Sequence, residues 1–154
     1  MTTSRPTLLV VQHTPSPAMQ EMLEAVLRGT RHPELGGLAV EVRAALTCGA
    51  ADVLASNAVI LGTPANIGYM SGALKHCLDT IYYPCLQVPV GKPYGVYVHG
   101  NDDTSGALRP IHTIAGGMGW RQVAPDVSVT SQPTRQDLAA CEDLGALIGF
   151  AIAQ

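Results

Sequence analysis

Two short runs of nearly unbroken apolar character, Thr7-Leu8-Leu9-Val10-Val11-Gln12 and Ala58-Val59-Ile60-Leu61-Gly62, constrain this chain more than any other feature. A strand apolar on both faces belongs in the middle of a parallel sheet whose two sides are covered by helices. The helices stand where that arrangement needs them. After the first run, Ser16 suits an N-cap and Pro17 the first helical turn, and Met19, Met22, Leu23, Val26 and Leu27 recur at three- and four-residue spacing up to a stop at Gly29. A helix beginning at Ser71 carries Leu74, Cys77, Leu78 and Ile81 on one stripe and ends near Tyr82-Tyr83-Pro84. Leu138, Cys141, Leu144, Leu147, Ile148 and Ala151 stripe a final helix, with a short helical turn at 50–55 and a weaker helix at 107–115 between them.

Three further strands complete the pattern. Residues 38–44 alternate enough to suit an edge, Tyr94 to His99 forms another strand, and Trp120 to Val129 gives a last strand interrupted by Pro125. Five strands alternating with helices, joined by right-handed crossovers, predict an α/β three-layer sandwich with a five-stranded parallel sheet. The expected order is 2-1-3-4-5, flavodoxin-like, with its switch point between strands one and three. At 154 residues the whole chain, 1–154, reads as one domain.

Charge narrows the partners. Charged residues make up 14% of the chain, well below the roughly 25% of average soluble proteins, so another subunit is expected to cover part of the surface as a homo-oligomer. Net charge is −3 and the nine Lys and Arg residues are scattered, leaving no basic stripe for nucleic acid. Cys48, Cys77, Cys85 and Cys141 form no C-x-x-C and no metal-ligand spacing, and read as reduced, buried thiols. The start of the chain runs directly into a strand pattern, and no segment approaches a membrane span, so a cytoplasmic protein is expected.

Residues 13–17, 63–70 and 100–106 leave the carboxyl ends of strands one, three and four and are expected to meet on one rim. They are rich in Thr, Ser, Asn, Gly and Pro and poor in the charged pairs of acid/base catalysis. The Thr14 and Ser16 hydroxyls, with the N–H groups of Ala18 and Met19, would face outward at a helix start, suiting a phosphate; equally, Ser16 would simply cap its helix. The N–H groups of Ala65, Asn66, Ile67, Gly68 and Tyr69 would suit the polar edge of a planar heterocycle, or belong to a plain strand-to-helix turn.

The segment Leu61-Gly62-Thr63-Pro64-Ala65-Asn66-Ile67-Gly68-Tyr69-Met70-Ser71-Gly72-Ala73-Leu74-Lys75 resembles the G-T-P-x-x-x-G-x-M-S-G-x-x-K stretch of flavodoxin-like NAD(P)H-dependent FMN reductases and quinone reductases. The resemblance implies that Thr63, Pro64, Ala65, Asn66, Ile67, Gly68, Tyr69 and Met70 line an FMN ring. It likewise implies that His13, Thr14, Ser16, Ala18 and Met19 surround the phosphate, and that Gly100 and Asn101 approach the pyrimidine edge or ribityl chain. No side chain is assigned a catalytic role, because the flavin itself would take hydride from NADH or NADPH and pass electrons to a quinone, free flavin or other acceptor. One departure concerns the phosphate loop, where Pro15 and Pro17 remove two N–H donors; His13 would offer a ring N–H instead or, as a lone His at a strand end, be structural.

Other residues read less sharply. Tyr69 would stack on the flavin or cover the loop, His76 and His99 read as structural, and Tyr82 to Cys85 suits a subunit interface or the core. Trp120 reads as core or interface, with cofactor cover as a lesser alternative. A receiver domain is disfavoured by Gln12-His13 and Thr63-Pro64 where acidic residues would stand, and no G-x-G-x-x-G, P-loop or G-x-S-x-G is present. Three functions remain: an FMN-dependent NAD(P)H oxidoreductase, a flavodoxin-like electron carrier without nicotinamide activity, and a cofactor-free interaction module.

Overall fold

Leu8, Leu9 and Val10 have no exposed surface because their strand, β1 (Thr7–Gln12), lies between two parallel neighbours and beneath helices on both faces. The computed structural model describes residues 4–153. From β1 the chain continues through α1 (Pro17–Thr30), β2 (Ala39–Ala44), α2 (Ala50–Leu54), β3 (Ala58–Asn66), β4 (Tyr69–Met70) and α3 (Gly72–Ile81). It ends with β5 (Pro93–His99), α4 (Ser105–Gly117), β6 (Arg121–Gln122), β7 (Val127–Val129) and α5 (Arg135–Ile152).

The parallel sheet runs β2-β1-β3-β5 and is closed on its far side by β6 and β7, which pair with successive parts of β5. This is the expected order of five, with the fifth strand split by residues 123–126 around Pro125. Alternate side chains of the central strands feed two cores. Leu9, Val11, Val59, Leu61, Val96 and Val98 face α3 and α4, while Leu8, Val10, Ile60 and Tyr97 face α1 and α5. That two-sided burial, at roughly 25 cal/mol per Å² of apolar surface, is the main favourable term holding the three layers together. β2 is only partly buried, as an edge strand should be.

Several boundaries differ from the sequence reading. α1 passes Gly29 to reach Thr30, and α4 begins two residues early, at Ser105, and runs through Pro110. The largest difference lies after Gly62, where a loop was expected and β3 instead continues to Asn66. β1 ends opposite Gly62, but β5 goes on pairing with Thr63 and Pro64, so Pro64 has a ladder to satisfy on one side only. All four cysteines are free and buried. Among the described residues, no helix is long and apolar enough to cross a membrane, and no group of His, Cys, Asp and Glu is placed to hold a metal.

Candidate functional site

The chain reverses its order at β1, so the carboxyl ends of β1 and β3 frame a crevice, and the three expected segments meet there. The first begins at His13, whose N–H donates to the Gly62 carbonyl at 3.1 Å. Thr14 hydrogen-bonds the Gln12 side chain. Ser16 is extended (φ −142°, ψ 159°) and its Oγ accepts the Met19 N–H at 3.2 Å, so it is the N-cap of α1. Met19 is therefore not an outward donor: its N–H is held by the cap and its side chain is fully buried. Ala18 keeps a first-turn N–H without an intrahelical partner, beside the positive end of the helix.

The second segment is a β-hairpin. Ala65 pairs with Met70 and Asn66 with Tyr69, leaving Ile67 and Gly68 as the turn. Both have positive φ, +50° and +75°, which is the type I′ pattern that matches the twist of the flanking strands. Gly68 takes this conformation freely, whereas a β-branched residue there is strained. Ile67 nonetheless stands at 105% relative exposure at the tip. Thr63 is fully buried; its Oγ1 donates to the Pro64 carbonyl at 2.8 Å and accepts the Ser71 N–H at 3.0 Å. Ser71 Oγ in turn caps α3 through Leu74 N–H. Thr63, Pro64 and Met70 thus shape the hairpin from below, and Asn66, Ile67, Gly68 and Tyr69 form its open surface, with Ala65 half-buried between them.

In the third segment Gly100 is buried and its N–H donates to Val129 at 2.9 Å, which leaves Asn101 as the exposed member of the expected pair. Asp103 accepts the N–H and hydroxyl of Ser105 at 2.9 and 2.7 Å, and these bonds hold its carboxyl below the usual carboxylate range. The start of α4 abuts the hairpin so closely that a Cβ on Gly106 would lie 1.9 Å from the Gly68 carbonyl oxygen. A groove of about 510 Å³ opens beside this contact, lined by Tyr69, Gly106, Arg109, Pro110, Thr113 and Ile114. Another concavity, about 750 Å³ and lined in part by Arg5, Asn57 and Phe150, lies at the opposite, amino end of the sheet.

Tyr97 is the residue that the sequence reading missed. Its ring lies on Gly62, where a Cβ would fall 2.1 Å from Cζ, and its fully buried hydroxyl has no hydrogen-bond partner among the described residues. Burial pushes the phenol far above its ordinary value, so it stays a neutral donor. His13 Nδ1 is likewise buried without a partner among the described residues. Two unpartnered polar atoms therefore belong to residues that contact Gly62 at the mouth of the crevice. The signal for Tyr97 was available, since a lone Gly inside the otherwise bulky run of β3 marks close approach by a neighbour.

The remaining aromatic and histidine expectations resolve simply. His76 is exposed on α3, His99 Nε2 pairs with the Ser131 carbonyl at 2.9 Å, and Trp120 packs in the core on Tyr94. Tyr82 is half-buried against the core and Tyr83 exposed.

No protein-family model matches the chain, and no curated protein does. Solved structures match it across almost its whole length. A flavodoxin from the domain Archaea superposes with a TM-score of 0.81 at 20% identity, covering 96% of this chain and 99% of that one. A flavodoxin, WrbA-like protein from Agrobacterium tumefaciens gives 0.76 at 20% identity, covering 95% and 96%. Rubredoxin oxygen:oxidoreductase from Desulfovibrio gigas gives 0.78 at 18% identity, covering 96% of this chain and 37% of that longer one. The chain has the flavodoxin-like fold.

Proposed function

We propose that the rim binds FMN and that the protein is an FMN-dependent oxidoreductase, carrying electrons from NADH or NADPH to a quinone, a free flavin or another small acceptor. One observation carries this reading: at the switch point, His13 Nδ1 and Tyr97 Oη, on residues that contact Gly62, stand buried with no hydrogen-bond partner among the described residues, and β3 runs on beyond Gly62 into a hairpin whose strained tip is held fully exposed. These residues fit the group. Ala18 N–H, the hydroxyls of Thr14 and Ser16 and the His13 ring suit a phosphate at the start of α1, without a Lys or Arg among residues 13–17. Asn66 to Tyr69 and Asn101 suit the edge and face of a planar ring.

FMN, when bound, supplies the hydride and electron chemistry. The chain's share is to orient the ring, exclude water and present neutral donors to a developing negative charge, which the hairpin can do without a side-chain acid or base. The groove beside Tyr69 is large enough for a nicotinamide or acceptor ring, and Arg109 on its wall suits an anionic substituent. The neighbours named as a flavodoxin and a WrbA-like flavodoxin support the flavin part of the reading. Exposed Tyr83, Val88 and Val90 support assembly as a homo-oligomer, which analytical ultracentrifugation checks.

The test is reconstitution of the purified protein with FMN, followed by its visible spectrum and by NAD(P)H oxidation. Absence of both signals refutes the proposal. A bound flavin that NAD(P)H fails to reduce in stopped flow would favour the electron-carrier reading, which the end-to-end likeness to an archaeal flavodoxin supports.

A further inference from the structure

Away from the rim, on the face covered by α3 and α4, three elements bring together a chain of hydrogen-bonded groups that the flavin reading does not use. Tyr94 lies near the start of β5, opposite Val59 of β3 and Gln122 of β6. Its hydroxyl is 2.6 Å from Nδ1 of His112 on α4, and His112 Nε2 lies 3.0 and 2.9 Å from the two carboxylate oxygens of Asp126. Gln122 Nε2 donates to the same carboxylate at 3.1 Å. With a neutral imidazole beside the Asp126 carboxylate, Tyr94 O–H donates to Nδ1 and Nε2–H donates to Asp126.

This order of groups is that of a hydrolytic triad, but Tyr94 is only 3% exposed, so no substrate carbonyl reaches it. Burial, and then the Asp126 carboxylate, push its phenol up to about 12, so it is protonated at neutral pH. Loss of an electron from such a phenol must be accompanied by loss of its proton, and the acceptor already stands on the hydrogen bond. The Trp120 ring lies 5.9 Å from the Tyr94 ring, centroid to centroid, and its buried Nε1–H has no hydrogen-bond partner among the described residues. An indole oxidised there keeps its proton and remains a strong oxidant toward its neighbour.

We propose that Trp120, Tyr94, His112 and Asp126 form a proton-coupled electron relay in which Tyr94 is the terminal one-electron donor. An oxidising inorganic radical takes one electron from Trp120 and is reduced to its anion. Tyr94 refills the indole cation radical with one electron and passes its phenolic proton to His112 Nδ1. The products are a neutral tyrosyl radical and an imidazolium paired with Asp126. The buried position of Tyr94 keeps that radical from solvent and from a second protein, so the relay serves as an internal sink for oxidising equivalents.

Pulse radiolysis of the full chain without flavin, with the azide radical as oxidant, tests the relay independently of the FMN proposal. The tryptophanyl absorption is expected to decay in a first-order, concentration-independent step as the tyrosyl absorption grows, with a solvent deuterium isotope effect. Tyr94→Phe, which removes one oxygen and keeps the packing, should abolish that step. Asp126→Asn, which lowers the basicity of His112 while keeping its hydrogen bonds, should slow it about tenfold. His112→Gln, checked for folding by circular dichroism, should slow it at least as much. Unchanged tyrosyl formation in Tyr94→Phe, or unchanged rates in both Asp126→Asn and His112→Gln, would overturn the proposal.

Discussion

Replacing Ile67 with Asn should make the flavin-free protein more stable and its hold on FMN weaker. Ile67 has φ +50° at the first turn position of the hairpin, a conformation that costs an L-residue about 1–2 kcal/mol and suits Asn better than a β-branched side chain. At 105% exposure the Ile side chain gives up no burial when it is removed. Asn followed by Gly68 is also the favoured pair for a type I′ turn. The expected gain is about 1 kcal/mol, or a rise in melting temperature of roughly 2–4 °C for a domain of this size. Urea titration of the apoprotein measures the first quantity and a thermal scan the second. If the exposed tip covers part of the ring, about half of an Ile burial is lost from the complex, roughly 1 kcal/mol or a fivefold weaker Kd. An apoprotein destabilised by the change would refute the strain argument. An unchanged FMN affinity would show that the tip does not touch the ring.

Tyr97→Phe removes a buried hydroxyl that lacks a partner, so the apoprotein should gain about 1 kcal/mol in urea unfolding, while FMN binding weakens if that hydroxyl serves the cofactor. Gly106→Ala drives a methyl into the Gly68 carbonyl and should cost about 1–3 kcal/mol, with faster proteolysis of the hairpin. Lys92, 2% exposed, donates to the carbonyls of Val53 and Ser56, and burial lowers its pKa. Because the unfolded chain holds that proton to higher pH, stability should rise relative to Lys92→Met as pH climbs from the lowered folded value to the ordinary lysine value. Parallel urea titrations across the alkaline range would show a flat difference if the lysine pKa were unshifted.

How far the sequence could be read depended on whether a signal was periodic or geometric. The doubly apolar runs of β1 and β3 and the stripes of α1, α3 and α5 carried the layer architecture and strand order, because burial on two faces leaves few alternatives. Ser16 and Ser71 were legible as caps for the same local reason. The hairpin was not: Pro64 reads as a strand breaker until one knows that β1 has already ended, and Ile67 gives no hint of a positive φ. Met19 appeared at the rim because its position in the first turn was visible and its capping bond was not. Tyr97 and the Tyr94–His112–Asp126 chain depend on contacts across strands and helices, which no spacing along the sequence encodes.

The central claim is that this rim holds FMN, and direct titration of the apoprotein with FMN, followed by quenching of flavin fluorescence and the shift of its visible bands, tests it most plainly. The account predicts saturable one-to-one binding at micromolar Kd or tighter, weakened by Ile67→Asn and by Tyr97→Phe. Fluorescence and bands that stay those of free FMN through the titration would contradict it.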